Sequence, residues 1–395
     1  MVISYQKPTD KDTQMRKQNT NMSETKQTIY IGIDEHKKDW TVTFRSKSVG
    51  LDTKRFEPDA NKLVSYLRRT YPDHNYEGVY EAGFGGFWLD RELRAAGVKN
   101  IVVNPADVAT KGKEKAQKND KKDSQKLARE LASGNLEEIY VPSVKDEAIR
   151  TVTRLREQTV KDQTRIKNRI KSLLCLYNVN IPRNDEMQHW SANFIKYLSE
   201  IKGLPAETKY TLDTHITILT FVRTQLLQII RKMKQLVKED KVLATKVKHL
   251  ESIPGVGFIT AAGVQTELID IERFPSLDNL ASFVGLSPAV YSSGEHSKDL
   301  GITKRYKKYL RNRLIESAWV AVRYDPELRK NYEEYVKRMS KQKAIIRIAK
   351  KLLNRIMYVM KNNVDYKPKT AKSETQKEPV TKQSEKKKVK VKRVF

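Results

Sequence analysis

The sequence predicts a multidomain α+β protein, with a mixed α/β domain first, long helices of coiled-coil type next and a mainly α domain last. The first prediction rests on the alternating residues Ile29, Ile31 and Ile33, followed after a short polar turn by a second β-rich run, Trp40 to Phe44. The second rests on apolar residues that recur at helical spacing among dense charge. The third rests on helical patterns that resume after the turn-rich segment SIPGVG.

The first domain, residues 28–145, combines the predicted hairpin with alternating helices and strands. We expect a helix at 61–70 and a strand at 78–81, which leads into the glycine-rich segment EAGFGG. The next helix, FWLDRELRAAG, ends at Gly97, a favourable C-terminal cap, and the strand NIVVNP follows. A lysine-rich loop then precedes the helix NDKKDSQKLARELASG. This order of elements is typical of a mixed α/β layer.

The remaining segments are predicted from changes in composition. Residues 146–248 are expected to form an antiparallel helical pair of coiled-coil type, and 249–365 to form the third domain. Residues 1–27 and 366–395 are polar, and we expect both ends to be disordered. The last segment carries eleven basic residues against three glutamates, which suits either a phosphate clamp or a solubilising or localising tail.

The net charge of +29 is the strongest compositional signal. Such a field favours polyanions, of which nucleic acid is the commonest for a soluble protein. A membrane is not an expected partner, because no stretch approaches the roughly 18 uninterrupted apolar residues of a span. The first 27 residues lack the apolar middle of a secretory signal, and Cys175 is the only cysteine, which excludes disulfides and cysteine-based zinc sites. These features predict a reduced, cytoplasmic protein.

Four acids occupy positions that suit a metal site. Asp34 and Glu81 each lie where a predicted strand ends, and Asp120 and Asp123 share one face of a predicted helix. Carboxylates at the strand ends of an α/β sheet can hold Mg²⁺, and two such ions can stabilise both oxygens of a phosphodiester displacement. The spacing alone also allows a helix cap at Asp120 and an ordinary surface turn at Asp34.

A second candidate site is the segment YSSGEHSKDLGITKRYKKYLRNRL, in which two serines precede a basic run. It is either a polar turn before a solvated helix or a nucleophile beside a phosphate backbone. A serine needs activation, and His296 is either its base or a solvated side chain. The candidate phosphate contacts, which cannot all share one helical face, are Lys298, Lys304, Arg305, Lys307, Lys308, Arg311 and Arg313.

The segment SIPGVGFITAAGV resembles a helix-hairpin-helix turn. In such a turn the backbone N–H groups of Gly255 and Gly257 would meet a phosphate where the next helix begins. The same residues would also serve a simple helix-breaking turn.

Two groups of motifs, in a fixed order, resemble one known family. GIDEHK, YEAGFGGFWLDRELRAAG and KNDKKDSQKLAREL resemble the RuvC-like DEDD domain of the insertion-sequence transposases grouped as the IS-one-ten family, relatives of the Piv-type invertases. SIPGVG, FVGLSPAVYSSGEHSKDLGITK and YLRNRLIESAW resemble that family's C-terminal transposase domain. The resemblance runs from about Tyr30 to Tyr366 and implies a RuvC/RNase H-like fold for the first domain.

The resemblance also implies roles for particular residues. Asp34, Glu81, Asp120 and Asp123 match the four acids of the family's Mg²⁺ site, and Ser293 matches its catalytic serine. Ser292 is a neighbouring hydroxyl, and the choice of Ser293 rests on its place before a glycine. The implied reaction is DNA cleavage and strand exchange through a covalent phosphoserine.

The implied partners are donor DNA, target DNA and a bridge RNA that pairs with both, with a homodimer or homotetramer formed on nucleic acid. Two other hypotheses remain open: a junction-resolving nuclease that uses the four acids and water, and a non-catalytic nucleic-acid-binding derivative. A site-specific inverter would be a variant of the recombinase hypothesis.

Overall fold

The computed structural model describes residues 26–109, 119–293, 296–302 and 307–368, with the backbone alone described at 288–293 and 296–302. It contains two compact units, divided between Pro142 and Ser143, which are described separately. Within the described residues, no helix has the length and apolar character needed to cross a membrane. Apart from residues 26–27 and 366–368, the two ends predicted to be disordered lie outside the described residues.

The first unit is built on a five-stranded mixed sheet. Its strands are β1 (Thr28–Glu35), β2 (Trp40–Arg45), β3 (Gly50–Phe56), β4 (Asn75–Glu81) and β5 (Lys99–Val103). The strand order is β3-β2-β1-β4-β5, with β1, β2 and β3 antiparallel and β1, β4 and β5 parallel. The predicted hairpin is therefore confirmed as β1 and β2, and the mixed α/β character of this unit is confirmed with it.

Three helices cover the two faces of this sheet. They are α1 (Ala60–Thr70), α2 (Trp88–Ala95) and α3 (Asp120–Ala132). Because neighbouring strand residues face opposite sides, Tyr80 packs with Leu63 and Leu89 on one face, while Val79 packs with Leu127 on the other. The sheet is thus buried between α1 and α2 on one side and α3 on the other.

The second unit begins with two long helices and a short one between them. They are α4 (Val144–Leu176), α5 (Ala192–Glu200) and α6 (Ala206–Glu239). At one end of the pair, Lys145 Nζ at the start of α4 lies 2.6 Å from Asp240 Oδ2, just after the end of α6. At the other end, Leu174 near the end of α4 shares an apolar core with Leu212 near the start of α6. The long helices are therefore antiparallel, and their coiled-coil character stays a prediction, as do the domain limits drawn from the sequence.

The rest of the second unit packs around one apolar core. Its elements are α7 (Lys241–Glu251), α8 (Phe258–Leu268), α9 (Leu277–Val284), β6 (Pro288–Ser293), β7 (His296–Ile302), α10 (Lys308–Tyr324), α11 (Pro326–Val336) and α12 (Lys341–Asn362). Leu250, Leu280, Leu314 and Leu352 are almost fully buried there. Strands β6 and β7 form an antiparallel hairpin that the sequence did not predict.

Candidate active site

Asp34 and Glu81 are brought together by the parallel pairing of β1 and β4. Ile33 and Tyr80 are register partners in this pair, so the next residue on each strand is one of the two acids. Both acids lie at the carboxyl end of their strand, where an α/β sheet commonly places its functional groups. The Asp34 side chain is 22% exposed and that of Glu81 is 34% exposed, so both remain accessible to an ion.

Helix α3 brings the other two acids to the same edge of the sheet. Asn119 caps this helix by accepting a hydrogen bond from the Lys121 N–H, which leaves Asp120 free of the capping role. Asp120 and Asp123 are the acids of its first turn. The Ser124 hydroxyl lies 2.8 Å from that of Thr43 on β2, a buried contact that fixes the helix against the sheet.

The charges of the other three acids act on Asp34. The pKa of Asp34 is raised to about 6, with burial as the largest cause and with His36 opposing the shift. The charges of Asp120, Asp123 and Glu81 each contribute to the rise, because like charges disfavour the ionised form. A cluster of this kind is relieved by a bound cation, and carboxylate oxygens are ligands that Mg²⁺ prefers. The donor set therefore fits the ion that the resemblance implies.

His36 also belongs to this group, and the sequence analysis assigned it no role. Its Nδ1 lies 3.7 Å from Asp34 Oδ2, and its Nε2 lies 4.0 Å from Asp120 Oδ1. One ligand atom from each of the three residues lies within 4.8 Å of the others. The available signal was a histidine two residues after an acid, directly beyond a strand.

Lys126 is a second addition that the sequence did not reveal. Its side chain is 9% exposed, and its Nζ lies 3.8 Å from Glu81 Oε1. Lysine is rarely buried unless it is paired, so this cation is positioned by the acid site. The only sequence signal was its spacing of three residues from Asp123, which puts the two on neighbouring parts of one helical face.

The glycine-rich segment after β4 contacts Glu35, the residue next to Asp34. A side chain on Gly85 would begin 2.0 Å from Glu35 Oε1, so the flexible Glu35 side chain would have to move to make room for it. The Tyr80 hydroxyl donates to the Gly86 carbonyl oxygen at 2.9 Å, which holds the loop from the strand side. The motif EAGFGG therefore shapes the edge of the acid site through packing.

Ser293 lies in the second unit, as the last residue of β6. Its register partner on β7 is His296, so the candidate nucleophile and candidate base are carried at the closing end of one hairpin. Lys298 lies on β7 opposite Tyr291. Lys304 and Arg305 lie outside the described residues.

The other basic residues predicted to contact phosphate have different surroundings. Lys308 is exposed at the start of α10, whereas the Arg313 side chain is 15% exposed and pairs with Glu157 and Glu316. Arg311 donates to the Gly285 carbonyl oxygen at 3.2 Å. Lys307 is exposed, and its Nζ lies 5.7 Å from the centre of the Phe283 ring. Their phosphate contacts stay predictions.

The two glycines of the SIPGVG turn differ in what they allow. Gly255 has φ +88°, and a side chain there would begin 2.6 Å from the Ser317 carbonyl oxygen of α10. Gly257 precedes the first turn of α8 and has open space around its Cα. Gly255 is thus required for packing, and the phosphate contacts of the two backbone N–H groups stay predictions.

Comparison with known families gives two matches. The profile described as the transposase IS116/IS110/IS902 family matches residues 247–333, a continuous range from the later part of α7 to most of α11. A second profile, described as a transposase and named for the DEDD acids of IS110 elements, matches residues 31–179. The second range contains all four acids.

Several curated relatives are named as transposases. The chain is 29% identical to the putative transposase y4qE of Sinorhizobium fredii over 252 aligned residues, and these are 64% of this chain and 60% of the relative. It is 28% identical to the transposase for insertion sequence element IS1111A of Coxiella burnetii, over 62% of this chain and 66% of the relative. It is 27% identical to the putative transposase y4rJ of Sinorhizobium fredii, over 82% of this chain and 90% of the relative. The chain thus spans less than two thirds of the first two relatives.

The acid cluster lies in the range of the DEDD profile, and the IS116/IS110/IS902 profile matches a later range, within the second unit. The chain therefore contains the domains of IS110/IS116/IS902 family transposases.

Proposed function

We propose that this protein is a DNA recombinase that cuts and rejoins DNA through a covalent bond to Ser293, with Mg²⁺ held by Asp34, Glu81, Asp120 and Asp123. The observation that carries the proposal is that the β1–β4 pairing and helix α3 bring the acids to one edge of the sheet, where Asp34 and Asp120 lie together, in a chain that matches the DEDD transposase profile. The strand order of the sheet supports the RuvC-like fold that the resemblance implies. The cytoplasmic location stays a prediction from the sequence.

The proposed reaction is a pair of transesterifications. The Ser293 Oγ attacks a DNA phosphorus, an O–P bond forms to the serine, and the bond from phosphorus to a deoxyribose oxygen breaks. That oxygen leaves as a hydroxyl with the proton that the serine gives up. A DNA hydroxyl then attacks the phosphoserine, which rejoins the DNA and restores the serine hydroxyl.

The residues of the chain have separate roles in this scheme. When bound, Mg²⁺ at the four acids supplies the positive charge that stabilises the entering and leaving oxygens. His296, the register partner of Ser293 in the β6–β7 hairpin, is the candidate base for the serine proton. Lys126 holds Glu81 in position beside the other acids. The exposed Lys308 contributes a phosphate contact, which positions DNA or RNA but does not read its sequence.

We also propose that a bridge RNA selects the DNA. The net charge of +29 suits the binding of several phosphate backbones at once, and RNA pairing would then supply the sequence specificity. Purification from cells that carry the flanking DNA should yield a defined RNA with the protein. A preparation that cuts DNA without any RNA would contradict this part of the proposal.

A homodimer is the proposed minimal assembly, and α6 offers a surface for it. Tyr210 and Phe221 are 75% and 62% exposed on this helix. Thr214, Thr217 and Thr224 lie nearby, and each hydroxyl donates to a carbonyl oxygen of its own helix, so that these side chains need no further acceptor. An uncharged face of this kind, in a chain with 32% charged residues, is suited to pairing with a second copy.

Light scattering on the full chain tests this surface. Phe221→Lys should give monomers at concentrations where the wild type is dimeric, whereas Ser172→Lys, an exposed change on α4, should not. An unchanged mass for Phe221→Lys would exclude this face as the dimer contact.

The serine route is tested by a search for denaturant-resistant protein–DNA adducts. The protein is expressed with its flanking DNA, beside Ser293→Ala and Asp34→Asn. We expect an adduct in the wild type and in neither variant. If DNA is cleaved without an adduct, and the cleavage persists in Ser293→Ala, the protein would instead be a nuclease that uses water. DNA binding with neither adduct nor cleavage would establish a non-catalytic derivative.

A further inference from the structure

His36 is held over the acid site by the turn between β1 and β2. Its backbone N–H donates to the Asp39 carbonyl oxygen at 3.2 Å, and the strands close next to it at the pair Glu35 and Trp40. The His36 side chain is 49% exposed, so its position is not explained by packing in the core. The turn directs the ring toward the acids, with Asp34 on one side and Asp120 on the other.

The distances around the ring are too long for direct hydrogen bonds. The separations of 3.7 Å from Nδ1 to Asp34 and 4.0 Å from Nε2 to Asp120 exceed the usual N–H···O range of about 2.7–3.2 Å, and one ion would take only one of these two nitrogens. Ligands bound about 2.1 Å from a common ion lie roughly 3–4.2 Å apart. The three candidate ligand atoms lie within 4.8 Å of one another, so only small side-chain rotations separate this arrangement from a coordinating one.

We propose that the imidazole of His36 is a ligand of the metal ion held by Asp34 and Asp120, and that it makes the site favour Mn²⁺ over Mg²⁺. This inference rests on the metal site of the proposed function and specifies its chemistry. Carboxylates suit both Mg²⁺ and Mn²⁺, whereas an imidazole nitrogen is a softer donor that suits first-row transition ions better than the hard Mg²⁺. The presence of one nitrogen donor among the acids is therefore a determinant of metal choice.

The alternative role for His36 predicts changes of opposite sign. If the ring is instead a protonated counter-ion between two carboxylates, it competes with the metal. Its removal would then strengthen the binding of Mn²⁺ and Mg²⁺ alike. If it is a ligand, its removal weakens Mn²⁺ binding selectively.

The test is a metal titration of the full chain without nucleic acid. Free Mn²⁺ is followed by electron paramagnetic resonance, and Mg²⁺ by competition with Mn²⁺, in the wild type, His36→Gln and Asp34→Asn. His74→Gln is the matched control, because His74 is a half-buried histidine of the same unit whose described contacts are with the Pro72 carbonyl oxygen and the Tyr71 ring, and not with the acids. Circular dichroism verifies the fold of each variant.

We expect His36→Gln to weaken Mn²⁺ binding about tenfold or more, with Mg²⁺ binding changed less than twofold. Pulsed resonance spectra of bound Mn²⁺ should show a nitrogen coupling in the wild type and His74→Gln that is absent from His36→Gln. Equal effects on both ions, tighter binding, or a wild-type spectrum without nitrogen coupling would overturn the proposal. Metal binding that survives Asp34→Asn unchanged would overturn the proposed acid site itself.

Discussion

The carbonyl oxygen of Ser124 lies against Gly32, only 2.2 Å from the point where a side chain on that glycine would begin. The nitrogen of Ala128 lies 2.5 Å from the same point. Backbone therefore meets backbone where α3 crosses β1, two residues before Asp34. The absence of a side chain at Gly32 sets how closely Asp120 and Asp123 approach the strand acids.

Gly32→Ala should push α3 away from β1 and open the acid site. We expect a loss of about 1–3 kcal/mol in the free energy of unfolding, as for other overpacked cores, and weaker binding of Mn²⁺. Urea unfolding and metal titration measure the two effects. Gly50→Ala is the control, since nothing lies within 4 Å of a side chain at Gly50. Equal stability of the two variants would contradict the close approach.

Asp34 predicts how stability depends on pH in metal-free protein. Its pKa is raised from 3.8 to about 6, so between these values the folded state holds a proton that the unfolded state has released. Stability from this group is therefore present below about pH 4 and is lost as the pH rises through 6. Asp34→Asn should be more stable than the wild type at pH 7, in the presence of a chelator, and should show no such advantage at pH 4. The opposite order at pH 7 would show that burial and the neighbouring acids do not disfavour the ionised form of Asp34.

Lys126 should matter most when no metal is bound. Replacement by Met keeps most of the side-chain volume but removes the cation beside Glu81. We expect Lys126→Met to lose about 1 kcal/mol or more in a chelator and to recover most of that loss at saturating Mg²⁺, because the ion then neutralises the acids. Thermal unfolding in both conditions measures this difference, with Lys121→Met, exposed on the same helix, as the control. A loss that Mg²⁺ does not restore would assign Lys126 a packing role alone.

Gly255 and Gly257 should respond differently to the same substitution. Gly255→Ala places a side chain against the Ser317 carbonyl oxygen at a backbone angle of φ +88°, so we expect a loss of about 2 kcal/mol or more. Gly257→Ala has open space and should unfold like the wild type. If Gly255→Ala is as stable as Gly257→Ala, the turn is not packed on α10 as described.

The parts of the fold that the sequence predicted are those with strong periodicity. Ile29, Ile31 and Ile33 are almost fully buried, and the alternation that predicted their strand is a direct consequence of that burial. Strand β3 (GLDTKRF) was missed because it is an edge strand without a buried residue, so its sequence carries no alternating pattern. The β6–β7 hairpin was missed because its polar segment gave no strand pattern.

The candidate site was predicted in part, for a related reason. The four acids stand in motifs, but His36 and Lys126 join them only through the tertiary contacts of a turn and a helix with the sheet edge. The spacing alone allowed Asp120 to be either a helix cap or a metal ligand. The structure shows that Asn119 is the cap. Side-chain proximity of this kind depends on the packing of α3 at Gly32, which no local pattern encodes.

The most direct test of the central claim is to locate the covalent bond on the chain. The adduct is digested with nuclease and trypsin, and the peptide of residues 274–298, which contains Tyr291, Ser292 and Ser293, is fragmented in a mass spectrometer. Our account predicts a nucleotide remnant on Ser293, and its loss in Ser293→Ala. A remnant on Tyr291 or Ser292, or DNA strand exchange with no modified peptide, would contradict it.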